Sequence, residues 1–129
     1  MSKPGRYRPY YSDYSAHCIR HYLSREFSLE PVPYDKLSDC CRKDIDAAEK
    51  AVAEMDDYQK FIINECYSPL SSIAMFRIQF EGACEKLGID ENAGWAELTE
   101  ALYRVAWHRG LIGTPYKKYE HLYESECCS

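Results

Sequence analysis

Two histidines, His17 and His21, stand four residues apart in the segment AHCIRHY. On a helix this spacing sets both imidazoles on one face, the arrangement by which metal-binding helices present a ligand pair. The HExxH pattern of zinc hydrolases needs a glutamate directly after the first histidine, and here Cys18 stands in that place. No third ligand stands out in the sequence. The pair therefore reads as two surface or half-buried histidines, and neither a metal nor a cofactor is assigned. The chain has 7 cysteines: Cys18, Cys40, Cys41, Cys66, Cys84, Cys127 and Cys128. An odd count with no apolar leader segment is expected of reduced thiols in a cytoplasmic setting. No CxxC occurs, so zinc-ribbon and thioredoxin-type motifs are absent. Cys18, Cys66 and Cys84 fall within apolar patterns, where a thiol behaves as a small hydrophobe. There is no glycine-rich phosphate loop and no GxSxG nucleophile elbow. Nothing selects one cysteine as a nucleophile, and the pair Asp56-Asp57 is explained by helix capping. The chain is read as a non-enzyme.

Tyrosine and arginine make a second constellation. Tyr7, Tyr10, Tyr11, Tyr14 and Tyr22 fall among Arg6, Arg8, Arg20 and Arg25. Interleaved aromatic and basic side chains can stack on bases and grip phosphates. The same two residue types are enriched in protein interfaces. Against a nucleic-acid role stands the charge of the whole chain, which is −5 over 129 residues. Such a balance disfavours broad, non-specific nucleic-acid binding.

These side chains need elements to hold them, and the apolar spacing predicts helices throughout. A first helix is expected from Ser12 or Asp13, either of which can cap it, with the stripe Tyr11, Tyr14, Cys18, Ile19, Tyr22 and Leu23. Pro31 and Pro33 must end it. A second is expected from about Asp35 to Met55, carrying Leu37, Cys41, Ile45, Ala48, Val52 and Met55 on one face. Asp39, Arg42, Lys43, Asp46, Glu49 and Lys50 form its solvated face. Asp56 should cap a third helix that ends at Ser68-Pro69. Ser71 or Ser72 should cap a fourth, with Phe76, Phe80, Ala83, Cys84 and Leu87 inward and Gly88 at its C-terminus. A fifth, capped between Asp90 and Asn92, carries Trp95, Leu98, Leu102, Val105 and Ala106 and ends at Gly110. No segment alternates with the period of a strand. The fold class is all-α: a compact bundle of five or six helices in one domain, residues 11–112. A basic, tyrosine-rich arm (1–10) precedes it. A tail (113–129) follows, in which Tyr116, Tyr119, Leu122 and Tyr123 have the spacing of a short sixth helix.

Residues 72–110 form a helix, a tight Gly88-Ile89-Asp90 turn and a second helix, the organisation of a helix-turn-helix. Ala83-Cys84 supplies small residues where two such helices cross. The aromatic first helix, acidic second helix and closing stretch WAELTEALYRVAWHRGLI resemble small phage and prophage proteins of Gram-positive bacteria. The group is that of the RinA/ArpU-type transcriptional activators, likened to region four of sigma factors. The matching positions are Trp95, Leu98, Val105, Ala106 and Arg109-Gly110-Leu111-Ile112, and the resemblance spans residues 10–112. It implies a helical transcription regulator acting through duplex DNA, RNA polymerase or both. On that reading Arg6, Arg8, Arg77, Arg104, His108 and Arg109 contact DNA phosphates, and Asn92 reads a base.

The early turns of the expected recognition helix oppose that assignment, since they carry Glu91, Glu97 and Glu100 and no lysine or arginine. Carboxylates facing phosphates are repelled. Gly94 also weakens an isolated helix by ~1 kcal/mol relative to alanine. The alternative is a non-catalytic interaction or structural protein. In it the acidic second helix and the aromatic arm make protein contacts, including those of a homodimer, without membrane association.

Overall fold

A computed structural model describes residues 10–69 and 74–112. Five helices make up the architecture: α1 (Ser12–Phe27), α2 (Asp39–Glu54), α3 (Asp57–Tyr67), α4 (Phe76–Leu87) and α5 (Glu91–Arg109). The fold is all-α, and the described residues contain no strand. The expected arm and short sixth helix fall outside the described residues, apart from Tyr10. None of the described helices is long and apolar enough to cross a membrane.

Where each helix begins follows from local hydrogen bonding. Asp56 caps α3 by accepting from the Gln59 amide at 2.8 Å, and Asp90 caps α5 by accepting from the Ala93 amide at 2.8 Å. Three starts differ from the sequence expectation. At α1 neither Ser12 nor Asp13 is the cap; Tyr11 holds that position without a side-chain bond. Ser12 is instead buried inside the helix. At α2 the helix starts later than Asp35. Tyr34–Lys36 form a separate 3-10 turn, Leu37 is extended, and Ser38 caps by accepting from the Cys41 amide at 3.1 Å. The Arg42 guanidinium fastens this turn, donating to the Leu37 carbonyl at 2.7 Å. At α4 the helix starts at Phe76 with Met75 at the cap position, not at Ser71 or Ser72, which lie outside the described residues.

The α4–α5 junction follows the sequence closely. Gly88 has φ of 72°, a left-handed conformation that costs glycine little. Its amide bonds to the Glu85 carbonyl, and the Ile89 amide bonds to Cys84, which satisfies the end of α4. Gly110, with φ of 85°, closes α5 in the same way.

Helix α5 is the central element and packs against the other four. Leu98, Ala101, Val105 and Ala106 on α5 are buried with Cys18 and Ile19 of α1, Ala48 and Ala51 of α2, Ile62 and Ile63 of α3, and Phe80 of α4. Ser15 is fully buried in α1 and donates to the Leu102 carbonyl at 2.9 Å, which fixes the register of α1 on α5. Gly94, read from sequence as a weak point of its helix, has a packing reason. A Cβ there would collide with Cys84 Sγ and lie 3.0 Å from Phe80 Cζ. The close approach of α4 and α5 requires glycine at that position.

One polar contact inside the bundle is imperfect. Gln59 is buried and donates to Glu97 Oε1 at 3.1 Å, while its own Oε1 is buried without a hydrogen bond. Burial pushes the Glu97 carboxyl above its ordinary range, Asp56 adds to this, and the Gln59 bond opposes it. The folded chain therefore holds that proton more tightly than the unfolded chain. Stability from this site is full below the unfolded carboxyl value and falls as pH rises through the folded one. Glu97→Gln removes the half-buried charge and offers an amide to Gln59 Oε1. The variant should be more stable than the parent by up to about 1 kcal/mol at neutral pH, with the gap closing below pH ~4. Urea unfolding at both pH values checks this, and an unchanged or lower stability at neutral pH would refute it.

Candidate functional site

Among the described residues, a polar cluster lies where α1, α2 and the end of α5 meet, and its centre is Asp44. This carboxylate is only 2% exposed. It is buried because Cys41, Asp44, Ala48, Ala51 and Met55 step by three or four along the inward face of α2. Asp44 Oδ1 accepts from Arg109 Nε at 2.6 Å and from Tyr14 Oη at 2.8 Å. Asp44 Oδ2 lies 3.4 Å from His17 Nε2. Burial alone would push the Asp44 carboxyl up; the Arg109 and Tyr14 hydrogen bonds and the Arg109 charge outweigh it and hold the carboxyl below its ordinary value. Tyr14 responds in the opposite sense, its hydroxyl pushed up by burial and by the bond to Asp44. The Cys18 thiol is pushed up to about 12, by burial first and by Asp44 second. It is a protonated core group and a poor nucleophile. Cys66 is likewise pushed up to about 12 by burial.

Among the residues expected at DNA, the three described arginines and His108 are all engaged by carboxylates of this chain. Arg77 pairs with Glu81 at 2.7 Å and Glu91 at 3.3 Å. Arg104 pairs with Glu54 and Glu100, both at 3.5 Å, and His108 lies 2.9 Å from Glu54. Arg109 is drawn inward to Asp44, and its guanidinium sits 5.5 Å from the centre of the Tyr14 ring. Asn92 is exposed in the first turn of α5. Arg6 and Arg8 lie outside the described residues. Arg104, His108 and Arg109 share the C-terminal half of α5, whereas Arg77 stands on α4 and Asn92 at the far end of α5. A small depression of about 180 Å³ joins His108 and Arg109 to Lys43, Asp46 and Lys50 of α2.

A larger cleft of about 580 Å³ opens between α1, α4 and α5, with Tyr67 at the end of α3 also in its wall. Ala16, Tyr67, Phe76, Trp95, Leu98 and Leu102 supply its apolar walls. The Trp95 and Phe80 rings lie 4.4 Å apart between centres, and Phe76 packs against both at about 6 Å, so the aromatic wall is a connected unit. Asp13, His17, Arg20 and Thr99 bring polar groups to the same cleft. Arg20 sits 4.9 Å over the Tyr67 ring. The volume lies within the range of about 300–1,000 Å³ usual for ligand sites.

Sequence reasoning named Trp95, Leu98 and Leu102 as core, and His17 with His21 as a ligand pair without a third member. It missed Asp44, Tyr14 as its partner, and the cleft. Asp44 could have been found as the one acid inside the apolar stripe of α2, but the cleft depends on how three helices diverge and leaves no periodic signal. No protein-family model, curated protein or solved structure matches the chain.

Proposed function

We propose that this chain is a non-catalytic protein-interaction module that uses the cleft between α1, α4 and α5 to seat the apolar face of a partner's amphipathic helix. The observation carrying this reading is the cleft itself, an aromatic and aliphatic trough between helices with polar groups of both signs at hand. Grooves of this kind accept helical segments through apolar anchors at i, i+3 or i+4, and i+7. The internal pairing of Arg77, Arg104 and Arg109 supports it as well, since cations already bound to carboxylates offer less to phosphate. The test is a selection of random 16-residue peptides on the immobilised chain, counter-selected on Thr99→Arg, which fills the cleft mouth. The expected result is a set of sequences with helical apolar spacing. They should bind with micromolar Kd and shift Trp95 emission in a Trp107→Phe background. Failure to enrich any sequence over the Thr99→Arg control would overturn the reading.

A second reading, regulation of transcription through DNA or RNA polymerase, is favoured by the depression that gathers Lys43, Lys50, His108 and Arg109. It calls for salt-sensitive binding of a labelled duplex that Lys43→Ala with Lys50→Ala weakens. Polymerase contact through the cleft would satisfy both readings.

A further inference from the structure

We propose that His17, His21 and Asp44 form a binding site for a divalent metal ion of the zinc type, bridging α1 and α2. His17 also lines the cleft, but the site needs no partner seated there. The two histidines share one face of α1, with ring centres 6.0 Å apart. The third ligand, not evident in the sequence, comes from α2. One ligand atom from each of His17, His21 and Asp44 lies within 4.8 Å of the others.

Three details distinguish this arrangement from a chance cluster. The first is a distance. His17 Nε2 and Asp44 Oδ2 are 3.4 Å apart, long for a charge-assisted hydrogen bond. Two ligands on a tetrahedral ion with bonds of 2.0–2.1 Å are separated by about 3.3 Å, which matches. The second is the division of labour within the carboxylate. Oδ1 is taken up by Arg109 and Tyr14, which fixes the plane of the group and leaves Oδ2 turned toward His17. Metal-ligating carboxylates are commonly oriented by such outer hydrogen bonds. The third is His21, whose Nδ1 is buried and meets no hydrogen-bond partner. A buried ring nitrogen without a partner is costly, and turning the ring toward a bound ion would relieve that cost.

Two imidazoles and a carboxylate are ligands of borderline character and suit Zn²⁺ or Co²⁺ better than Mg²⁺ or Ca²⁺, which prefer oxygen. The His17 side chain is 60% exposed, so an ion can enter from solvent. Three protein ligands leave the fourth tetrahedral position to water or to an external donor.

The test uses Co²⁺ as the probe on the full, reduced chain, because its spectrum reports both geometry and ligand type. The expected result is one equivalent of Co²⁺ giving the visible bands of a tetrahedral ion. The strong near-ultraviolet absorption of thiolate coordination should be absent from that equivalent. Zn²⁺ should displace it and raise the thermal midpoint. His17→Ala and His21→Ala should each weaken binding at least tenfold while leaving the helical circular dichroism of the metal-free chain unchanged. His17→Ala is the safer variant for folding, since its side chain is largely in solvent. Visible bands that survive in the His17→Ala, His21→Ala double variant would overturn the proposal, as would a first equivalent bound through thiolates or no tetrahedral spectrum at all.

Discussion

Replacing Arg109 by alanine should cost about 3 kcal/mol of folding stability and lower the thermal midpoint by ~10 °C. The reason is the asymmetry of a buried ion pair. Asp44 is 2% exposed and keeps its charge because Arg109 Nε donates to it at 2.6 Å. Removing the cation leaves a carboxylate inside the bundle with Tyr14, His17 and the neutral Cys18 thiol beside it and no arginine to balance its charge. The Arg109 side chain is 19% exposed, so water can partly replace it, which places the loss at the lower end of the range for broken buried pairs. Arg109→Lys should recover part of the loss, because an ammonium keeps the charge but not the fork that reaches Asp44, Tyr14 and Cys40 together. Asp44→Leu combined with Arg109→Met should recover more, since it leaves no charge unpaired, although the Tyr14 hydroxyl loses its partners. Chemical denaturation of the four proteins measures this, and a loss under 0.5 kcal/mol in Arg109→Ala would show that the pair is not a structural brace. The result also bears on nucleic-acid assays: weakened DNA binding by Arg109→Ala would report unfolding unless the stability were measured alongside.

Gly94→Ala should be destabilising by about 2 kcal/mol, although alanine favours a helix over glycine by about 1 kcal/mol. The added methyl would meet Cys84 Sγ and Phe80 Cζ, and both of those side chains are buried, with Phe80 fully enclosed. Overpacking of a filled core costs about 1–3 kcal/mol, and at this separation the upper end applies. Cys84→Ala should be mildly destabilising alone and should rescue Gly94→Ala. The two substitutions are then coupled by at least ~1 kcal/mol in a double-mutant cycle. Additive effects would mean that α4 and α5 adjust their spacing freely, which the tight Gly88 turn argues against.

Much of the fold can be read in the sequence because periodicity and punctuation agree along the chain. Asp56, Gly88, Asp90 and Gly110 mark helix ends with side chains or dihedrals that do the same job in the structure. Local competition explains the misread starts. Ser38 offers a better cap than anything near Asp35, and Pro33 with Arg42 stabilises a 3-10 turn ahead of it. Ser12 lost its capping role to burial. The sites were harder to read. Asp44 looks like one of many acids on an acidic helix until its place in the apolar stripe is counted. Its partner Arg109 is 65 residues away in the chain. Gly94 looked like a flaw because helix propensity is a local quantity and the contact that demands glycine is not. The cleft depends on the relative angles of α1, α4 and α5, which no local pattern encodes.

The hydroxyl of Tyr10 donates to the carbonyl of Leu111 at 3.1 Å, a bond between positions 101 residues apart. The first and last turns of the described chain are thus neighbours, and the bundle closes on itself as a loop does. A unit of that topology can be spliced into a surface loop of an unrelated host protein without prying the host apart. Cut to residues 10–112, it should also accept new termini elsewhere, because a short linker would join positions 10 and 112. For engineering, the five helices are a portable cassette with both attachment points on one edge.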